Sequence, residues 1–470
     1  MSKKENRKDF RDVLTFTIDP IDSKDFDDAL SYEKIDENIL RIGVHIADVS
    51  YFVKPGTVLD RKARKKAFST YLVGKVIPML PEELSNDLCS LKPNVDRLAF
   101  SVVFDIEKKT GKILKKWFGK TVINSDKRFS YEEAQEALES RITNYELWKK
   151  NYGKELEDLN RIANIYRAEN KKNGAIEFET NEVQFELDKN GKPLKIYKKP
   201  RLDTMKMIEE WMLLANREVA RFISDRLKKS GGSSIFRVHD LPDMEKIQEL
   251  AIFVRALGHE LPISNGNITA KDLNLLLSKI EGHASESIIR TAALRSMAKA
   301  EYSTNNIGHF GLAFEYYTHF TSPIRRYPDL MVHRILEKLL NNEKISSKEF
   351  SSFSKIAREA SEKEIEVQEA ERESIKQKQV EYMQDKIGQE FDCVISGVTE
   401  WGIYVEDLKT RCEGLVHVRS LGNDYYELDQ KNYCLVGKRT GVKYTLGNRV
   451  RVRLVSVDSE RGYLNFKLIP

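Results

Sequence analysis

Apolar and polar residues alternate over 12–18 (Asp-Val-Leu-Thr-Phe-Thr-Ile), the period of a half-buried strand. Residues 39–48 form a more continuous apolar run and predict a second, more buried strand. Residues 98–106 predict another, and 118–124, 183–188 and 193–198 supply further candidates. The period then changes. From Asp203 to Lys228 the positions Ile208, Trp211, Met212, Ala215, Val219, Phe222, Ile223 and Leu227 step by three and four, which marks one face of a long helix. Segments 243–257, 270–281 and 285–300 behave similarly. Strands first and helices later predict an α+β core rather than a regular βαβ repeat.

Residues 345–387 are rich in Glu, Lys, Gln and Ser and lack proline, which predicts one or two charged helices. From Gly388 the texture becomes short strands with glycine turns, the pattern of a small barrel or sandwich. Three units are expected: a core over 1–345, a charged helical connector packed on it over 346–387, and an all-β end over 388–470.

Composition narrows the class. The chain has 470 residues, 40% hydrophobic and 32% charged, which is globular rather than disordered or fibrous. No apolar run approaches the ~20 residues that span a bilayer, so no membrane partner is expected. Met1 to Lys8 contain no apolar stretch of a signal peptide. The four cysteines, Cys89, Cys393, Cys412 and Cys434, form no CxxC pair, so a cytoplasmic location is expected. A net charge of +5 from 78 basic and 73 acidic residues neither requires nor excludes a nucleic acid. Nothing indicates an oligomer, and a monomer is the default.

The sharpest chemistry lies in Asp19-Pro-Ile-Asp22-Ser-Lys-Asp25-Phe-Asp27-Asp28, with five carboxylates in ten residues. Crowded carboxylates raise one another's pKa, and a bound cation relieves the repulsion. Mg²⁺ and Mn²⁺ prefer oxygen ligands, and two such ions about 3.5–4 Å apart can cleave a phosphodiester. A solvated acidic turn is the plainer alternative. A calcium hand is excluded by the missing glycine and glutamate at its sixth and twelfth positions.

A second segment reads His319-Phe-Thr-Ser322-Pro-Ile-Arg325-Arg326-Tyr327-Pro328-Asp329. Ser322-Pro323 has the form of an N-cap followed by a first-turn proline; Pro328 could instead begin the helix or kink it. Either way Arg325 and Arg326 lie near a helix N-terminus, where guanidinium forks and backbone N–H groups suit phosphate. Surface ion pairing is the plainer reading of two arginines.

At these segments the chain resembles the ribonuclease II/ribonuclease R family, whose catalytic module is the RNB domain. The carrying stretches are Thr17 to Asp28, Val44 to Ser50, Pro78 to Asn86, Gly308 to Ala313 and His319 to Asp329, in the family's order. The resemblance implies a processive 3′→5′ hydrolytic exoribonuclease that releases nucleoside 5′-monophosphates, using Mg²⁺ or Mn²⁺. It implies metal roles for Asp19, Asp25, Asp27 and Asp28, and none for Asp22. The catalytic arginine falls on Arg325, with Arg326 as a phosphate contact. Tyr71 and Phe178 match the aromatics that stack the last bases, Tyr131 a tyrosine near the terminal nucleotide, and Glu209 a carboxylate that reads the 2′-hydroxyl. Glu210 adjoins it, and a shift of one would exchange them. His45 and His309 read as structural. The implied partner is single-stranded RNA or RNA with a 3′ overhang. A non-catalytic RNA-binding protein keeping the fold is the alternative, and a phosphodiesterase acting on DNA or small nucleotides is a further one.

Residues 388–470 resemble an S1 domain, an OB-type barrel that binds RNA. Trp401, Tyr404 and His417 occupy positions where such barrels present rings to bases. Arg449, Arg451 and Arg453 share one strand face, as a phosphate stripe or as members of local ion pairs; the segment's twelve basic and eleven acidic residues favour neither. Bacterial ribonuclease R usually carries cold-shock domains before the catalytic module and a lysine-rich tail after the S1 domain. Eighteen residues precede Asp19 here, so the chain is expected to be a fragment or a short member.

Overall fold

The computed structural model describes residues 7–143, 145–150, 152–177, 182–228, 232–262, 268–283, 285–430 and 433–469. Its organising element is a seven-stranded mixed sheet. The strands are β1 (Lys8–Phe10), β2 (Thr15–Asp19), β3 (Asp28–Lys34), β4 (Ile39–Ala47), β7 (Asp96–Glu107), β8 (Ile113–Asn124) and β9 (Lys127–Ser130), in the order β1-β8-β7-β4-β3-β2-β9. The β1/β8 and β2/β9 pairs are parallel and the others antiparallel. Two short strands outside this sheet, β5 (Thr70–Leu72) and β6 (Lys75–Ile77), form a separate hairpin.

The central strands are buried on both faces, which explains their near-continuous apolar runs. Phe16, Leu40, Ile42, Ile46, Phe100 and Phe104 form the sheet's contribution to the core. Helix Asp203–Lys228 lays Trp211, Ala215, Val219 and Ile223 into the same core. The expected α+β class is what the structure has.

The C-terminal barrel is closed, with strands Glu390–Thr399, Gly402–Asp407, Glu413–His417, Tyr463–Leu468 and Arg449–Asp458 in that spatial order. This is the five-stranded OB arrangement. Gly402 is required there: a Cβ would lie 2.2 Å from the Val416 carbonyl oxygen. The barrel does not stand alone. Its core residues Ile395, Val405 and Phe466 belong to one apolar cluster with Leu250, Val254, Leu276 and Ile289 of the helices before it.

Between core and barrel runs one helix, Ser347–Gln384, of 38 residues. Ser346 caps it and Glu349 returns the bond, a capping box.

One local expectation is corrected. Ser322 does not cap a helix: the helix begins at Tyr327, with Arg326 as N-cap and Pro328 in the first turn. Pro328 lacks an N–H at a position where that donor has no helical partner, so it starts the helix without cost.

Candidate active site

The acidic loop connects β2 to β3 at one end of the sheet. Pairing between these strands covers Thr15↔Ser31 and Phe16↔Leu30, while β2 stays paired with β9 as far as Asp19↔Ser130. Past Phe16 the two strands diverge, and the loop fills the gap. Its backbone is anchored on several sides. The Ser90 hydroxyl donates to the Lys24 carbonyl at 2.8 Å and accepts the Phe26 N–H at 3.0 Å. The Leu91 N–H reaches the Phe26 carbonyl at 3.0 Å and the Ala47 N–H the Asp27 carbonyl at 2.8 Å. Arg128 donates to the Pro20 carbonyl at 2.6 Å and to that of Ile21 at 2.9 Å. Phe26 is buried as the apolar anchor. Five crowded carboxylates would push a free loop apart; these bonds hold it.

Asp19 and Asp27 are buried, and Asp22 points to solvent. Burial pushes the Asp19 carboxyl well above the usual range; the neighbouring Asp28 and Asp25 charges add to this, opposed by Thr17 and Arg128. Burial likewise raises Asp27, against Arg325 and the Ile324 N–H. Asp28 is raised to about 6, again by burial, with Arg325 and Arg326 opposing. The four carboxylates of the resemblance therefore share one electrostatic environment.

Asp19 Oδ2 and Asp27 Oδ2 are buried oxygens with no hydrogen-bond partner. Among the described residues no three ligating side chains are already closed into a coordination group. An all-oxygen donor set, desolvated and with unpartnered lone pairs, fits a hard divalent cation. The same set without a cation leaves buried carboxylates uncompensated, which is costly.

The arginine segment arrives from 297 residues further along the chain. The Ile324 N–H donates to Asp27 Oδ1 at 2.9 Å, and Arg325 Nε lies 3.6 Å from Asp27 Oδ2. Arg325 Nη2 donates to the Ser322 hydroxyl at 3.0 Å, and its side chain is 43% exposed, so the fork remains open to a ligand. Arg326 is disposed differently. It pairs through both Nε and Nη2 with Asp329, at 3.0 and 2.7 Å. Asp329 also accepts the Ser322 N–H at 2.8 Å. Arg326 thus braces the loop that presents Arg325.

Tyr71 sits on the β5–β6 hairpin, half exposed, and its hydroxyl donates to Asp25 Oδ2 at 3.3 Å. The hairpin is tied to the arginine segment, because the Ser69 N–H bonds the Arg325 carbonyl at 3.0 Å and the Tyr327 N–H the Ala67 carbonyl at 2.8 Å. Tyr131 begins the helix after β9. Burial raises its hydroxyl pKa, with Asp28 and Asp19 adding to the effect, so it faces the acidic loop. Phe178 lies outside the described residues. Glu209 is exposed and holds Arg201 at 2.8 Å. Its neighbour Glu210 is buried, accepts from Asn170 at 3.0 Å, and is raised to about 7 by burial and by Glu209. Both carboxylates line a cavity of about 190 Å³ with Arg167, Arg201 and Lys206.

His45 is structural, buried between the Ser101 and Ser31 hydroxyls at 2.6 and 2.8 Å. On the barrel, Trp401 is exposed and its indole N–H lies 3.3 Å from the Tyr404 hydroxyl. His417 stands opposite Gly402 in register, so all three rings gather at one end of the barrel. Of the arginine stripe, Arg451 and Arg453 pair with Glu390 at 3.2 and 2.8 Å, the ion-pair reading. Sequence reasoning missed Ser90, Ser69 and Asp329. Of these, Asp329 offered a cue, as a carboxylate three residues after an arginine at a helix start.

Comparison with known proteins agrees with this architecture. Residues 7–342 match the RNB domain and 384–468 the S1 RNA binding domain. Ribonuclease R of Aquifex aeolicus is 39% identical over 98% of this chain and 65% of its own length. Ribonuclease R 1 of Lactococcus lactis is 36% identical over 99% of this chain and 56% of its own. The chain thus spans less than two thirds of the length of these curated relatives. Among solved structures, Mycoplasma genitalium RNase R in complex with ribose methylated single-stranded RNA superposes with a TM-score of 0.89. It is 29% identical, over 99% of this chain and 72% of that one. Yeast Ssd1, a pseudonuclease, superposes at 0.74 with 22% identity, over 93% of this chain and 53% of its own, a likeness of fold alone. With the RNB match covering most of its length, the chain belongs to the RNB domain family.

Proposed function

We propose that this chain is a processive 3′→5′ hydrolytic exoribonuclease that releases nucleoside 5′-monophosphates. The observation that carries this reading is the convergence on Asp27: one buried carboxylate meets the acidic loop, the Ile324 N–H and the Arg325 guanidinium. An RNA-binding protein without activity has no use for a desolvated carboxylate cluster beside a half-exposed arginine, and would lose it by drift.

Asp19, Asp25, Asp27 and Asp28 would hold Mg²⁺, or Mn²⁺ in its place. When bound, such an ion supplies a more acidic water and neutralises charge at the phosphate. Arg325 stabilises the charge that develops on the non-bridging oxygens. Tyr71 offers its ring to a terminal base, and Tyr131 stands over the carboxylates at the terminal nucleotide. Glu209 reads the ribose 2′-hydroxyl, the group that separates RNA from DNA. Arg326 acts on phosphate mainly through the loop it braces. Trp401, Tyr404 and His417 hold upstream RNA by stacking, which tolerates any sequence.

The proposed substrate is single-stranded RNA or RNA with a 3′ overhang, acted on by a monomer in the cytoplasm. Four free, buried cysteines and the absence, among described residues, of any helix able to cross a membrane are compatible with that setting. The test is degradation of a 3′-labelled RNA in Mg²⁺: labelled 5′-mononucleotide as the first product supports the reading, and labelled 3′-terminal oligonucleotides appearing first contradict it.

A further inference from the structure

Tyr71 reaches the acidic loop from a two-stranded hairpin, and two strands alone are marginally stable in water. The outward edge of β5 and the turn after it direct the N–H groups of Tyr71 and Val73 away from β6. Both are satisfied by the long helix Ser347–Gln384. The Tyr71 N–H donates to Glu371 Oε1 at 2.8 Å, and the Val73 N–H donates to the Ser374 hydroxyl at 3.0 Å. Glu371 and Ser374, one helical turn apart, thus supply the two acceptors that a neighbouring strand's carbonyls would otherwise provide.

The helix is fixed on both sides of this contact. Before it, Glu359 holds Arg64 at 2.8 and 2.9 Å, Glu364 holds Arg237 at 2.7 and 3.0 Å, and the Ser361 hydroxyl accepts the Tyr302 N–H at 2.8 Å. After it, Val380 and Met383 enter the apolar cluster shared with the barrel, and Gln379 donates to the Thr410 carbonyl at 3.2 Å. The helix is therefore a strut with its ends in two cores and the Tyr71 hairpin hung from its middle.

We propose that Glu371 and Ser374 are positioning residues that set the Tyr71 ring at the mouth of the site, tying the barrel's position to the grip on the RNA 3′ end. This rests on Tyr71 being a base platform. The test is equilibrium binding in EDTA of a single-stranded RNA carrying 2-aminopurine at its 3′ end, whose fluorescence falls on stacking. The native chain quenches it and Tyr71→Ala does not. Glu371→Ala with Ser374→Ala loses most of the quench and weakens binding roughly three- to tenfold, with an unchanged melting midpoint. In Mg²⁺ the same change raises KM for a short RNA and leaves kcat at saturation unaltered. Glu371→Gln restores the quench, because its amide oxygen accepts the same N–H bond. Native quenching in the double variant, or failure of Glu371→Gln to restore it, overturns the proposal while leaving the exoribonuclease intact. Absence of quenching by the native chain removes the platform reading and the proposal with it.

Discussion

Asp27 concentrates the chemistry in one side chain. It is buried among carboxylates, held by a backbone N–H on one oxygen, while the other lies 3.6 Å from Arg325 Nε with no hydrogen-bond partner. Asp27→Asn keeps the shape and the Ile324 bond but removes the charge. It is expected to leave RNA affinity near native and to lower kcat by at least about a hundredfold, the scale of one lost transition-state contact. Turnover unchanged in that variant contradicts the metal role. Histidines make a separate prediction about folding. Burial depresses His45 to about 3, His309 to about 3 and His333 to about 4, against 6.5 in the unfolded chain. The unfolded chain takes up these protons first as pH falls. The histidine contribution is full above pH 6.5 and drains below it, by about 2 kcal/mol per histidine at pH 5, while the raised carboxyls of Asp28 and Glu210 act in the opposite sense over the same window. Imidazole NMR signals of these three histidines that titrate near pH 6.5 in the folded chain would refute this.

At the scale of elements, the segment Ser322–Asp329 is the part whose sequence reading changed most. Its two arginines look alike on paper. In the fold Arg325 opens toward the carboxylates while Arg326 is locked to Asp329. Removing one partner of such a buried pair strands the other, so Arg326→Ala is expected to cost about 3–5 kcal/mol of stability, read as a lowered urea midpoint. A midpoint within error of the native chain would return Arg326 to a purely phosphate-binding role. The acidic loop, the long helix Asp203–Lys228 and the buried strands β4 and β7 were legible because their chemistry or periodicity is local, whereas the helices Tyr131–Thr143 and Gly153–Asn173 were not foreseen. Ser90, Glu371 and Ser374 were not. They act through side-chain bonds to backbone groups as many as 301 residues away, and such bonds leave no spacing to read. The charged helix read as a connector packed on the core, but its sequence did not single out Glu359, Glu364 and Glu371 as the glutamates that bond to Arg64, Arg237 and the Tyr71 N–H.

The whole molecule places a desolvated acidic site at one end of a sheet and a ring-bearing barrel beyond a rigid strut. The barrel shares its apolar cluster with the preceding helices, so the two regions hold a defined relation. Trp401→Ala is expected to weaken binding of long RNA by ~1–3 kcal/mol while sparing turnover on an RNA too short to reach the barrel. Equal losses on short and long RNA, measured by kcat/KM, would count against that division of labour. The most direct measurement is incubation of the chain with a 5′-labelled single-stranded RNA and Mg²⁺, alongside EDTA and an Arg325→Ala variant. The expected result is a ladder shortening from the 3′ end with 5′-mononucleotides released, abolished by EDTA and by the variant. RNA that stays bound and intact would contradict the exoribonuclease assignment, and shortening that persists in Arg325→Ala would contradict the role of that arginine.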